Sequence, residues 1–189
     1  MTISHPITLT DTELRAAALD GELRPLGATY LPLDVPLDPP ARLMALAPAL
    51  GDQRIIVAGR CAAWVWGWTL ASCPTLCCCV SSRQRIPSTA RRAFAAREVV
   101  IDLDEITRLD GVAITTPLRT LIDLARHDDG PDLPRLLVAA LQEVEVTRGL
   151  SAERIEEALQ RRPAAANTRR ARARLESAQA DATQPLLTR

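Results

Sequence analysis

The apolar positions of this chain fall into three regimes: a short helical start, a strand-like middle and a long helical end. Thr10 followed by Glu13 fits a capping box, in which each side chain satisfies a free amide of the other residue, and predicts a helix over about 11–19 that stops at Gly21. "ELRPLGATYLP", residues 22–32, then places two extended runs around Gly27 and reads as a hairpin. The four prolines of "PLDVPLDPP", residues 32–40, read as a linker and a soft domain boundary.

In the middle, "IIVAG" from Ile55 reads as a strand end and "RCAAWVWG" as a helix closed by Gly67. "LCCCV", "RRAFAAREVVI" and "GVAIT" supply three further extended runs. After Thr116 the period changes. Pro117 suits a first helical position, and Leu118, Leu121, Ile122 and Ala125 recur at helical spacing. Three more helices are expected: 133–146 with Leu133, Leu137, Leu141 and Val144 inward, then 152–161 and 168–178. Strands followed by helices predict an α+β fold. The expected division is an N-terminal module with its Pro-rich linker over 1–40, an α+β core over 41–130, and a helical part with a mobile tail over 131–189.

The composition refines this picture. Hydrophobic residues make up 47% of the 189 but aromatics only 3%, so small aliphatic side chains and arginine stems must fill the core. All 23 basic residues are arginine. The absence of lysine excludes a P-loop lysine, a Schiff-base lysine and any nuclease site built on one. Formal charge sums to zero, yet residues 1–50 hold three arginines against six acids and residues 51–100 seven against two. No block is a polybasic arm, so nucleic-acid binding would need a local patch. The first fifteen residues lack the pattern of a secretory signal, and the expected location is cytoplasmic.

All five cysteines and all three tryptophans crowd into residues 61–79. Cys73, Cys77, Cys78 and Cys79 give no second C-x-x-C, and in a strand Cys78 points away from Cys77 and Cys79, so they read as packing and not as a metal site. Residues 61–80 are uncharged and long enough to span a membrane, but Pro74 and the hydroxyl side chains around it break the run into a helix, a turn and a strand. Trp64 and Trp66 point to different sides of their helix and read as core. Asp102 and Asp104 fall on one side of an extended segment, as paired metal-binding carboxylates do, but nothing else completes such a site and they read as a solvated edge. Arg169, Arg170, Arg172 and Arg174 are spread around a helix and read as a solvated face more than a phosphate stripe, and Arg119 with Asp123 one turn on reads as an ion pair. No catalytic residue, metal or cofactor is nominated.

At "GVAITTPLRTLIDLA", residues 111–125, the chain resembles the actinobacterial AbiEi-family antitoxins of type IV toxin–antitoxin systems. The matching positions are Thr116, Pro117, Arg119, Thr120 and Asp123, with Trp64, Trp66 and Gly67 in "AGRCAAWVWGW" and the hairpin stretch at 20–32 in support. The arginine-rich tail also resembles the helix at this point in longer relatives, some of which continue into a nuclease-like segment. The resemblance implies a winged-helix-like DNA-binding module, an antitoxin domain, repression of the protein's own operon and neutralisation of a nucleotidyltransferase-like toxin. Its implied partners are operator DNA and that toxin, with no membrane. Only one helix precedes the hairpin here, where a full winged helix needs three, and the segment is net acidic. The module is therefore reduced, and Arg15 and Arg24 are its candidate DNA contacts. A DNA-processing enzyme remnant or accessory, or a protein-only interaction module, are the alternatives.

Overall fold

The computed structural model describes residues 9–26, 29–70, 76–84, 86–89, 96–148, 151–162 and 165–183. Its first element is the capped helix α1 (Asp11–Leu19), where Thr10 Oγ1 accepts from the Glu13 amide and the Glu13 carboxylate accepts from the Thr10 amide at 2.7 Å. No residue of α1 is buried. Strands β1 (Leu23–Leu26) and β2 (Thr29–Pro32) form an antiparallel hairpin; Gly27, expected at its turn, lies outside the described residues. Leu26 is buried and belongs to the principal core, and Leu31 packs against it.

The Pro-rich stretch is only in part a connector. Pro32 closes β2, whereas Pro39 and Pro40 open a helix that periodicity did not reveal, α2 (Pro39–Leu46). The signal for it was Asp38 before Pro39: the Asp38 side chain accepts from the Ala41 amide at 2.9 Å, and proline at the first helical position gives up no needed donor. The helix buries Arg42, Leu43 and Ala45. Arg42 donates to the carbonyls of Leu37, Trp64 and Thr69 and stands over the Trp64 ring, 5.6 Å from its centroid.

Five strands make the main sheet: β3 (Ile56–Val57), β4 (Cys78–Ser81), β5 (Arg97–Val99), β6 (Ile106–Leu109) and β7 (Val112–Thr115). Their order is β5-β4-β3-β7-β6, with β3–β7 and β4–β5 parallel and the other two pairs antiparallel. Strand β6 was missed in the sequence. Its turn was readable, because Asp110 and Gly111 both take positive φ, 48° and 84°, the geometry that favours Asp-Gly in two-residue hairpins. Period-two alternation then sorts the sheet. Val57 and Ile114 join the principal core, and Ile56, Cys79 and Ala113 form a separate cluster with Ala58 and Ile101.

Helix α3 (Gly59–Trp66) follows β3 and buries every residue from Cys61 to Trp66. Gly67, at φ 91°, ends it: the Gly67 amide donates to the Trp64 carbonyl at 3.1 Å and the Trp68 amide to that of Ala63 at 3.0 Å. Trp68 folds back and is 5% exposed. Four helices close the chain: α4 (Pro117–His127), α5 (Leu133–Arg148), α6 (Ala152–Gln160) and α7 (Thr168–Thr183). Leu121, Leu124, Leu133, Leu137, Leu141, Ile155, Leu159 and Leu175 from all four are buried in one cluster with α3. A buried leucine of this kind contributes about 1.5–3 kcal/mol, so the four-helix cover is a main source of stability. The expected inward placing of Val144 and the expected mobile tail lie outside what is described. The architecture is α+β, as the patterning predicts.

Gly67→Ala should destabilise the fold by about 1–2 kcal/mol, since an L side chain at that φ is strained even in open space. A lower urea midpoint at unchanged slope is the expected result.

Candidate functional site

The stretch that carries the resemblance is where β7 runs into α4. Thr116 caps the helix, its hydroxyl accepting from the Arg119 amide, and Pro117 sets the first helical φ. Thr115 and Thr120 are wholly buried with hydroxyls 2.7 Å apart, and the Thr120 hydroxyl reaches the Thr116 carbonyl at 2.9 Å. From α3, the Trp66 indole N–H donates to the Thr115 carbonyl at 3.1 Å. Two motifs about fifty residues apart thus meet at one junction. Trp64, on the other side of α3, is packed in the core as predicted.

One turn into α4, Arg119 is 7% exposed and uses its planar fork three ways. Nε donates to Asp123 at 2.8 Å, and Nη1 donates to Glu105 at 2.8 Å and to the Val100 carbonyl at 3.2 Å. Glu105 in turn accepts from the Asp102 amide at 2.8 Å and from Arg162 at 2.7 and 2.8 Å. Arg162 also meets Asp102 at 2.6 Å, and Arg161 meets Asp104 at 2.7 Å. The hub joins the segment before β6, helix α4 and the connection from α6 to α7. Burial works against the Glu105 carboxylate, but hydrogen bonds from Arg162 and the Asp102 amide, with the charge of Arg119, hold its pKa below 4.5.

This corrects the expectation for Asp102 and Asp104. Residues Leu103–Glu105 form a short 3-10 turn, not an extended segment, and each aspartate goes to a different arginine. Among the described residues no group of three or more His, Cys, Asp and Glu is placed to hold a metal ion. The arginine-rich tail is likewise engaged. Arg172 pairs with Glu156 at 2.6 Å, Arg170 pairs with Asp129, and Arg174 reaches Asp129 and the carbonyls of Ala125 and Asp128. Arg169 stays exposed. Across the molecule Arg60 clamps Asp128 at 2.6 Å and Asp132 at 2.7 Å, and Gly130 leaves room for its guanidinium where a Cβ would collide.

The thiols are packing groups. Cys78 sits among Ile55, Val80, Ile86 and Ala96, and Cys79 among Ile56, Ile101 and Ala113. Burial pushes the Cys78 thiol up to about 11 and that of Cys79 up to about 12, away from thiolate chemistry. Cys61 accepts from the Cys77 amide at 3.0 Å; Cys73 lies outside the described residues. Of the candidate DNA contacts, Arg15 is exposed and paired with Asp11 at 3.1 Å, and Arg24 is half-buried on β1 opposite Leu31. No described helix is long and apolar enough to cross a membrane.

The chain thus has an α+β core whose strand-to-helix junction is locked by a Thr-Pro cap and a buried arginine hub. The sequence model of the AbiEi antitoxin C-terminal domain matches residues 56–177, and the chain belongs to that family. The match runs from β3 into α7, which takes in the junction and the hub. No curated protein matches the chain in sequence. A solved structure, that of the Rv2827c protein from Mycobacterium tuberculosis, is similar in fold at 20% identity with a TM-score of 0.51. The similarity covers 89% of this chain but 65% of that one, so this chain spans about two thirds of that protein's length.

Glu105→Gln should cost about 2–3 kcal/mol near neutral pH by removing one charge from the hub. Because the folded pKa of Glu105 is depressed, its contribution is complete above about pH 5 and lost as pH falls through and below 4.5. Between about pH 6 and pH 3 the variant should therefore lose less stability than the native chain in denaturant titrations. Cys78 and Cys79 should resist alkylation at about pH 8 in the native state and react fully in denaturant, as peptide mass mapping would show.

Proposed function

We propose that this chain is an antitoxin that neutralises a nucleotidyltransferase-type toxin, in the manner of type IV systems, and represses its own operon through residues 1–40. What carries the reading is the family match over residues 56–177, which spans the whole Thr116–Asp123 junction. The hub supports a binding role over a catalytic one. Asp102, Asp104, Glu105 and Asp123 are each held by an arginine, so the carboxylates nearest one another are committed to structure. On this reading 41–130 is the antitoxin-like core, 131–189 its helical cover, and the protein works in the cytoplasm.

The DNA-facing role rests on less charge. Residues 1–50 hold three arginines against six acids, and Arg15 already has Asp11 as partner. Affinity from phosphate contacts and its salt dependence both scale with the number neutralised, so binding by Arg24 and Arg15 is weak and its dependence on salt shallow.

If a nucleotidyltransferase gene adjoins this one, co-expression should restore growth that the toxin alone arrests; continued arrest at matched expression would remove the antitoxin role. In gel-shift titrations at two salt concentrations, upstream DNA should be retarded at low salt and released at high salt, with Arg24→Ala weakening the shift. No retardation at low salt would end the repressor role. Divalent-metal-dependent DNA cleavage that disappears in Asp104→Ala would favour the DNA-processing alternative instead.

A further inference from the structure

Cys78 and Cys79 lie in two separate apolar clusters of the sheet. Cys61 and Cys77 are placed differently, because they share the principal cluster and touch one another. Cys61 is wholly buried in the first turn of α3, and Cys77 is half-buried one residue before β4. The Ala58 amide donates to the Cys77 carbonyl at 3.0 Å, and the Cys77 amide donates back to Cys61 Sγ at 3.0 Å. Gly59 lies between them, where an added Cβ would stand 3.7 Å from that of Cys77. The Cys61 sulfur thus meets an atom two bonds from the Cys77 Cβ, which brings the two residues close to the separation that a disulfide spans.

Access separates the pair. An opening of about 270 Å³ beside α3 is bordered by Cys77, Cys78 and Cys79, and Cys61 is not among its walls. Cys78 and Cys79 are each 4% exposed, and burial holds both as thiols. Cys77 is the more accessible of the three. Thiol oxidation runs through the thiolate, which helix N-termini and neighbouring cations favour. The start of α3, whose Ala58 N-cap supplies no side-chain acceptor, and the exposed Arg97 both stand at this opening. The acids there, Asp123 and Asp128, are committed to Arg119 and Arg60.

We propose that Cys77 is a site of oxidation by small hydroperoxides and that Cys61 resolves it into a disulfide joining α3 to β4. The Cys77 thiolate attacks one peroxide oxygen, the O–O bond breaks, and the other oxygen leaves as an alcohol or, from hydrogen peroxide, as water. Cys77 is then a sulfenic acid. The Cys61 sulfur attacks the Cys77 sulfur, the S–S bond forms as the S–O bond breaks, and the hydroxyl leaves as water with the Cys61 proton. Burial keeps the oxidant from Cys61, while its contact with Cys77, sixteen residues away in sequence, makes it the resolving thiol. A thiol reductant reverses the bridge by exchange. The proposal is independent of the antitoxin reading, since it concerns the chemistry of two thiols and not toxin neutralisation.

The test treats the reduced full chain, Cys77→Ser and Cys61→Ala with a small excess of hydrogen peroxide and reads intact mass and non-reduced chymotryptic peptides. Chymotrypsin cuts at Trp66, Trp68, Leu70 and Leu76, between Cys61 and Cys77. The native chain should lose the mass of two hydrogens and show a Cys61–Cys77 linked peptide that a reductant abolishes. Cys77→Ser should lose the bridge entirely. Cys61→Ala should instead be trapped by dimedone as a sulfenic acid adduct at Cys77. If Cys61→Ala does not fold, dimedone added to the native chain during oxidation supplies the second readout, since it should place its adduct on Cys77 and lower the yield of bridge. An unchanged mass in the native chain would overturn the proposal, as would a bridge from Cys77 to Cys73, mixed pairings, or a bridge at Cys61 that persists in Cys77→Ser.

Discussion

The Arg119 guanidinium is the constraint on which the C-terminal architecture depends. It is planar, permanently charged and carries five donors, so one side chain holds Glu105, Asp123 and the Val100 carbonyl at once. A lysine ammonium could not span those directions, and this chain contains no lysine. Through Glu105 the same network reaches Arg162, and so the turn before β6, helix α4 and the α6–α7 connection are held in one arrangement. Breaking one partner leaves the others buried and unpaired, which makes the assembly cooperative.

Arginine performs this task repeatedly. Arg42 pins α2 to the end of α3 through the Trp64 and Thr69 carbonyls, Arg60 fixes α3 to the segment before α5, and Arg174 fastens α7 to the end of α4. With aromatics at 3% of the chain, the core is built from small aliphatic residues, and guanidinium forks supply directional links between helices that apolar packing leaves underdetermined. Against that background Arg126 stands out, because it is as buried as the structural arginines while its Nε has no hydrogen-bond partner and its Nη2 reaches the Thr168 hydroxyl at 3.5 Å.

The N-terminal part obeys different rules. Helix α1 buries nothing and is held by its own capping box, while the hairpin behind it sends Leu26 into the main core. The hairpin is thus anchored to the rest of the chain through apolar contact. Its net acidic character and the engagement of Arg15 by Asp11 bear directly on how much phosphate charge it can neutralise.

The local signals in the sequence were sufficient wherever a short-range rule governs. The Thr10–Glu13 cap, the Gly67 stop, the Thr116–Pro117 helix start and the Arg119–Asp123 pair all involve residues within four positions of one another. Alternation also separated Cys78 from Cys79 across the sheet. Helix α2 and strand β6 were signalled just as locally, by Asp38-Pro39 and by Asp-Gly, but their apolar runs are too short for periodicity to outweigh neighbouring prolines and charges. Only the tertiary structure decided the rest: that Trp66 donates to Thr115, that Asp102 and Asp104 face Arg162 and Arg161 across about sixty residues, and that the Arg126 Nε is buried without a hydrogen-bond partner. Pairings at such separation leave no periodic trace in a sequence, because what selects them is the packing of whole elements against one another.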